Sequence, residues 1–317
     1  MAELRCREEI VQRTPEWHAA RRALITASEA TAFLHQDRRA LADYYADFRV
    51  PPRLQHYDPA APLSPFASSE TVIEEKTATN CRRRETPAMR WGARFEPIAL
   101  EIYSRLYNRA VEQFGLMTHD GAFPWLGASV DGIEHGTGMV VEIKCPMRPV
   151  AETWRPDDLP EPHYWVQVQI QLEVLALPAA WLYTSHFVEY ADMVDFLSDP
   201  IVPRLSGCIL IPLSNRRPRA TKPTTRNPNP PPPSAPTTAI YPPPELLVLD
   251  NSSDDNIARR AQLLAWVEQT CAVQTHRPQF WYLDRSSRKW VGRSRRWFSR
   301  VAGVLERAHG ELKAGVA

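Results

Sequence analysis

The sequence predicts an α/β fold of helices and short strands, and three observations carry that prediction. Residues 86–107 and 163–177 repeat apolar side chains at helical spacing. Between them, residues 125–131 and 139–144 are short β-prone runs joined by a glycine-containing segment. Residues 182–190, 207–213 and 245–249 read as further short strands, so helices and strands interleave along the chain.

The 317 residues, 44% hydrophobic and 24% charged, suit a packed soluble fold. With 38 Lys and Arg against 37 Asp and Glu the net charge is +1, so no global field announces a polyanionic partner and any basic surface is local. Cys6, Cys81, Cys145, Cys208 and Cys271 are scattered without a C-x-x-C pair. That pattern argues against a disulfide framework and a structural zinc site, and for a reducing, intracellular compartment. No run of 18 apolar residues occurs, and residues 1–13 are charged where a secretory leader needs an apolar stretch, so the expectation is a protein neither membrane-spanning nor secreted.

Taken in order, residues 16–34 read as helix, turn, helix. Trp17, Ala20 and Leu24 share a face, and Thr26 or Ser28 can cap a second helix carrying Ala30, Phe33 and Leu34. Residues 36–85, with Pro51-Pro52, Pro59, Pro62 and Pro65, read as a surface loop with short local structure. Thr86-Pro87 is a start signal for the long helix, whose face is Phe95, Ile98, Ala99, Ile102, Tyr103 and Leu106. Pro97 within it is expected to kink the helix or mark its true first turn. The runs 125–131 and 139–144 are expected to pair as an antiparallel hairpin through 132–138. On the helix at 163–177, Val166, Ile170 and Val174 share one face.

Twelve of the 30 prolines fall within 212–244, which reads as an extended, solvated insertion. A plain spacer and a polyproline II docking peptide are both open readings of it. Residues 251–273 return to a helix with a capping-type start. Between 285 and 300, Arg285, Arg288, Lys289, Arg293, Arg295, Arg296 and Arg300 interleave with Trp290, Trp297 and Phe298, after Phe280-Trp281-Tyr282. This composition suits grip on a nucleic-acid backbone with base stacking, and equally a helix with an aromatic face on the core and a basic face in water. The shorter cluster Arg82, Arg83, Arg84 reads as a solvated loop.

The chemistry-bearing residues lie in the hairpin. Glu142 and Lys144, two apart, project from one face of a strand, and Asp131 ends the strand before it. Two carboxylates with an ammonium suit a hard divalent cation and a water oriented for phosphodiester hydrolysis. A Glu/Lys pair on a solvated strand face has the same spacing, so the triplet by itself decides nothing.

Its context is more specific. Glu16-Trp17-His18-Ala19-Ala20-Arg21-Arg22 with Ile25-Thr26-Ala27-Ser28, then the stretches Trp91 to Ala99, Leu126 to Gly132, Val141 to Pro146 and Tyr164 to Gln169, stand in an order that resembles the phage lambda exonuclease and YqaJ-type viral recombinase family. The resemblance implies a PD-(D/E)xK restriction-endonuclease-like core of α/β class, a central mixed sheet flanked by helices, here over residues 1–276 with the proline-rich insertion at 212–244, followed by a basic and aromatic extension over 277–317.

It also implies an enzyme that hydrolyses linear double-stranded DNA from 5′ to 3′ with two Mg²⁺ ions, which Mn²⁺ can replace, in viral or phage recombination or genome processing. Asp131, Glu142 and the Ile143 backbone carbonyl fall on the metal ligands, Glu96 on a further acid near the second metal or its water, and Lys144 on the catalytic lysine. Gln167 and Tyr164, three apart and so on one helical face, fall on the helix bordering the active site. Arg21, Ser28 and Ser129 match positions that bind the terminal 5′ phosphate, where a guanidinium with two hydroxyls makes an anion pocket. A homo-oligomeric ring, a trimer, a single-strand annealing protein as partner, and a place in the host cytoplasm or nucleus belong to the same implication.

Val130 departs from the family, where many members carry Pro, and so do the long segments 36–85 and 212–244. The alternatives are an endonuclease or RNase on the same core, and a non-catalytic DNA-binding recombination scaffold. The presence of Arg21, Ser28 and Ser129 favours the exonuclease, and that of Glu96, Asp131, Glu142 and Lys144 favours an active enzyme.

Overall fold

A computed structural model of the protein describes residues 10–12, 14–78, 86–147, 159–199, 204–213, 239–250, 256–271 and 275–316. Helix α1 (Pro15–Arg22) opens where the Thr14 hydroxyl accepts the Trp17 N–H at 3.2 Å and Pro15 takes a position that needs no donor. After β1 (Ile25–Thr26), Ala30–Phe33 is a single buried 3₁₀ turn and not the second helix expected there. Strand β2 (His35–Gln36) pairs with β3 (Asp58–Pro62), and between them lies α2 (Arg38–Asp47). Helix α3 (Ser69–Thr77) follows.

The segment expected as loop is therefore built of elements. Ala40, Leu41, Tyr44 and Tyr45 form the buried face of α2, a helical repeat that the prolines beginning after it at Pro51 obscure in the sequence. Asp37 caps that helix through hydrogen bonds from Arg39 N and Ala40 N at 2.8 and 3.0 Å. The Arg82–Arg84 cluster lies outside the described residues, as do Cys6, Cys81 and 214–238 of the proline insertion.

Helix α4 (Pro87–Tyr107) is capped by Thr86 and buries Phe95, Ile98, Ala99, Ile102 and Tyr103, the face read from the sequence. It runs through Pro97 and ends at Asn108 in the left-handed conformation (φ 48°). Then come β4 (Val111–Glu112), β5 (Leu116–Thr118), β6 (Leu126–Ser129), β7 (Gly132–Glu134) and β8 (Val140–Lys144). The expected hairpin is corrected here. Its second strand pairs antiparallel with β7, inside the stretch read as the turn, whereas β6 pairs parallel with β1 and antiparallel with β5. The chain changes sheets at Asp131, between β6 and β7.

Helix α5 (Pro162–Leu175) crosses back to β9 (Ala179–Glu189), which pairs parallel with β8. The rest is α6 (Met193–Ser198), β10 (Leu205–Pro212), α7 (Pro244–Leu247), β11 (Leu249–Asp250), α8 (Asn256–Cys271), β12 (His276–Gly292) and α9 (Arg295–Val316). Of residues 245–249, expected in a strand, 245–247 lie in a helical turn started by Pro244 at its first position, and the strand begins only at Leu249.

The chain clusters into two units, one of residues 1–185 with 286–317 and one of residues 186–285. In the first, strands run in the order β4-β7-β8-β9, with β1-β6-β5 as a separate sheet, around a core that includes Ile25, Leu126, Val140, Trp165, Ile170 and Trp297. The second holds the order β11-β10-β12 and its own cluster of Phe196, Cys208, Leu210, Leu249, Leu263 and Phe280. The mixed strands flanked by helices are the fold class expected.

The grouping differs from the expected division at 276/277. Helix α9 belongs to the first unit, packing on α2, α3 and α5 with Trp297, Val301, Leu305, Ala308 and Leu312 buried at helical spacing. The Trp297 indole donates to the Ala40 carbonyl at 3.0 Å and meets the Trp165 ring edge-on at 5.3 Å. Several of the basic residues are spent inside the fold. Arg293 pairs with Glu173 at 2.9 Å, Arg300 with Asp43, and the Arg288 guanidinium lies 3.6 Å from the Tyr107 ring centre and 4.2 Å from that of Trp181. Trp297→Ala is expected to cost about 3–5 kcal/mol of stability, measured by denaturant unfolding, because it deletes a fully buried ring from this core.

Candidate active site

The change of sheet at Asp131 places the acids. Gly132 follows it because a Cβ there would stand 2.2 Å from Val111 Cγ1, so only glycine lets β7 lie against β4. The Ile143 backbone N–H then donates to Asp131 Oδ2 at 2.6 Å and fixes the carboxylate against β8. On β8, Glu142 and Lys144 share a face as the strand period requires, but that face is not solvated: Glu142 is 2% exposed.

What covers it is α5. Gln167 and Gln171, one helical turn apart, both reach Glu142. Glu142 Oε1 accepts from Lys144 Nζ and from Gln167 Nε2, each at 2.6 Å, and Oε2 accepts from Gln171 Nε2 at 2.6 Å. Lys144 Nζ also donates to Gln167 Oε1 at 2.9 Å and lies 4.8 Å from the Tyr164 ring centre. The structure places Gln167 and Tyr164 on α5 beside Lys144, and brings to the same cluster Gln171, which the sequence reading did not name. Its signal was present, as three glutamines alternating with apolar residues on a helix otherwise buried almost all round.

The electrostatics are those of converging acids. Burial, then Glu142, then Glu96 push the Asp131 carboxyl well above the ordinary carboxylate range, against Lys144 and the Ile143 N–H. Glu96 is brought within electrostatic reach by α4. Burial opposes the charge on Lys144, yet Glu142 and Asp131 outweigh it and raise its pKa, so the ammonium is held. The neighbouring Cys145 is kept as a thiol by burial and by Glu96 and Asp131.

Among the described residues no group of three or more His, Cys, Asp and Glu side chains converges closely enough to hold an ion. The fit to a cation rests instead on Asp131 and Glu142, whose repulsion a divalent ion would relieve. Mg²⁺ commonly takes only one or two carboxylates, with water and substrate oxygens completing its shell.

A second polar cluster forms at the end of α1. Arg21 donates to Thr26 Oγ1 at 2.9 Å, Ser28 Oγ at 3.3 Å and Glu29 Oε1 at 3.1 Å, while its guanidinium lies 4.5 Å from the Trp17 ring centre. Ser129 enters through Trp17, whose indole donates to Ser129 Oγ at 3.1 Å. The structure brings Arg21 to Ser28 directly and Ser129 only by way of Trp17. Glu29, Thr26 and Lys76 were not foreseen. Lys76, on α3, pairs with Glu29 at 2.9 Å and donates to the Arg21 and Leu24 carbonyls, closing the end of α1 from another element.

Burial alone would raise the Glu29 carboxyl, but Arg21 and Lys76 bring it down to about 2 from 4.5. A depressed carboxyl stabilises the fold above its unfolded pKa. The stability lost in Glu29→Gln should therefore be full above pH 4.5 and shrink as pH falls toward 2, read from urea unfolding of both proteins.

Residues 58–178, which hold Glu96, Asp131, Glu142, Lys144 and α5, match the model of the YqaJ-like viral recombinase domain. Over that stretch the chain is similar to this domain family. Arg21 and Ser28 lie outside the matched stretch of this domain, and Ser129 lies inside it. An uncharacterized protein of Acanthamoeba polyphaga mimivirus is 30% identical over 173 residues, 48% of this chain and 31% of that protein. The chain thus spans about a third of the length of the curated relative it matches.

Two solved structures are also similar to the chain. An alkaline exonuclease from Laribacter hongkongensis is 16% identical with a TM-score of 0.44, over 96% of this chain and 94% of that one. A phage-related exonuclease from Haemophilus somnus is 10% identical with a TM-score of 0.39, over 78% and 82%. No helix among the described residues is long and apolar enough to cross a membrane.

Proposed function

We propose that the protein is a metal-dependent exonuclease that degrades linear double-stranded DNA from 5′ to 3′ in viral or phage recombination. One observation carries the reading. Ser129 and Asp131 stand two residues apart where β6 ends, so the cluster around Arg21 and the acids around Glu142 hang from one strand end. A terminal phosphate held at the first cluster would set a phosphodiester near the second.

Asp131, Glu142 and the Ile143 carbonyl would hold Mg²⁺ or Mn²⁺, with Glu96 in support. A bound ion would neutralise the scissile phosphate and acidify a water. Lys144, kept cationic, donates toward the attacking water or the phosphate. Gln167 holds both Lys144 and Glu142 so that neither wanders from the strand. Arg21 and Ser28 supply charge-assisted donors for the 5′ phosphate, and Glu29 and Lys76 keep Arg21 aimed. A ring-shaped trimer and a single-strand annealing partner belong to the same reading; sedimentation of the protein with and without duplex tests the ring.

The deciding assay digests linear duplexes with 5′-phosphate or 5′-hydroxyl ends and a closed circle, each with Mg²⁺, with Mn²⁺ and with EDTA. The expected result is metal-dependent loss of linear DNA alone, faster from phosphorylated ends. A cut circle points to an endonuclease, RNA cleavage in preference to DNA points to an RNase, and no cleavage with any metal points to a binding scaffold.

A further inference from the structure

Gln171 stands between the two clusters. Its side-chain amide has two N–H bonds and two acceptors: Glu142 Oε2 at 2.6 Å and the Ser129 backbone carbonyl at 3.3 Å. The first belongs to the acids on β8, the second to the strand end whose hydroxyl meets Trp17 beside Arg21. The residue is fully buried, and its Oε1 has no hydrogen-bond partner. Burying an unpaired amide oxygen is unfavourable, and an apolar side chain on this apolar helix would avoid that cost. The amide is retained at a position where packing alone favours Leu or Met.

We infer that Gln171 is a positioning residue that fixes the separation of the end-binding cluster from the hydrolytic acids, and so sets the length of the product released. The inference rests on the exonuclease reading and deepens it. Ser129 and Asp131 are joined through the backbone, and β8 is held to Asp131 by the Ile143 N–H and by its pairing with β7, but the Glu142 carboxylate itself is tied to β6 through Gln171. Gln167 ties Glu142 to Lys144 on the same strand, whereas Gln171 alone of the two glutamines ties it to β6. Without that tie Glu142 keeps two donors on Oε1, while Oε2 and the Ser129 carbonyl lose their shared partner.

The test is a duplex carrying a labelled 5′-terminal phosphate, digested by the unaltered protein, Gln171→Leu and Gln171→Asn, with the products sized. Unaltered protein should release one product length. Gln171→Leu should release a mixture, with kcat lower by roughly 10- to 100-fold, the range for losing a hydrogen-bond partner of a ligating group, and KM for ends unchanged. Binding of the phosphorylated duplex in EDTA, followed by fluorescence anisotropy, should match the unaltered protein.

A single, unaltered product length from Gln171→Leu overturns the inference whatever the rate. If Gln171→Leu fails to fold, Gln171→Asn decides: it keeps the amide but cannot span both acceptors, so a mixture supports the inference and a single length overturns it. Absence of cleavage by the unaltered protein, or cutting of a closed circle, would instead bring down the exonuclease reading itself.

Discussion

Glu142→Gln and Lys144→Ala are each expected to lower cleavage of linear duplex by about 10³-fold or more, with duplex binding still measurable by anisotropy. Glu142 is the acid on which three donors converge, and it faces Asp131 across the site. Converting it to an amide removes a cation ligand and also sets amide against amide at Gln167 and Gln171. Lys144 is an ammonium held against Glu142 and kept charged by the two acids, so its loss removes that cation from beside the developing phosphate charge. Lys144→Arg separates two roles: rescue would mean that charge suffices, and no rescue that a compact ammonium is needed. Retained cleavage in Lys144→Ala would overturn the assignment of the site.

Arg21→Ala should abolish most of the preference for phosphorylated over hydroxyl 5′ ends while leaving the slow reaction from hydroxyl ends near its original rate. A charge-assisted hydrogen bond contributes about 1.5–3 kcal/mol, or roughly 10- to 150-fold in the ratio of kcat/KM for the two ends. The ratio is the informative quantity, because damage to the fold would slow both ends alike. Arg21→Lys should recover part of it, since an ammonium cannot bridge Thr26, Ser28 and Glu29 as the guanidinium does. An unchanged ratio in Arg21→Ala would remove the pocket from the reading and leave the hydrolytic site untouched.

The acids and the lysine were readable because strand alternation and short-range motifs place them, and the long helix because its apolar face repeats over 21 residues. The mixed α/β class followed from the same interleaving. What escaped depends on contacts between segments far apart in the chain. The hairpin of 125–131 with 139–144 dissolved because β6 finds its partners in Ile25–Thr26 and Leu116–Thr118, and two- or three-residue strands leave no periodicity to read.

Helix α2 was missed because it was read together with the proline-dotted stretch that begins after it at Pro51. Lys76 was invisible as a site residue because what matters about it is its burial beside Glu29, 47 positions away in sequence. The basic, aromatic stretch near the C-terminus was ambiguous for a physical reason: arginines over aromatic rings serve nucleic acid and a protein core by the same interaction, and only the packing of α9 on α2, α3 and α5 separates them.

The arrangement around Arg21 also bears on which anions can occupy it. The guanidinium is already engaged by Glu29, a carboxylate that stays ionised down to about pH 2. Any incoming phosphate must therefore compete with a tethered anion at high local concentration. Inorganic phosphate or a free nucleotide enters that competition with one weak attachment, whereas a duplex end arrives held elsewhere along its length. On the proposed reading the internal carboxylate would act as a threshold, making the pocket responsive to polymer ends and nearly indifferent to small free phosphates.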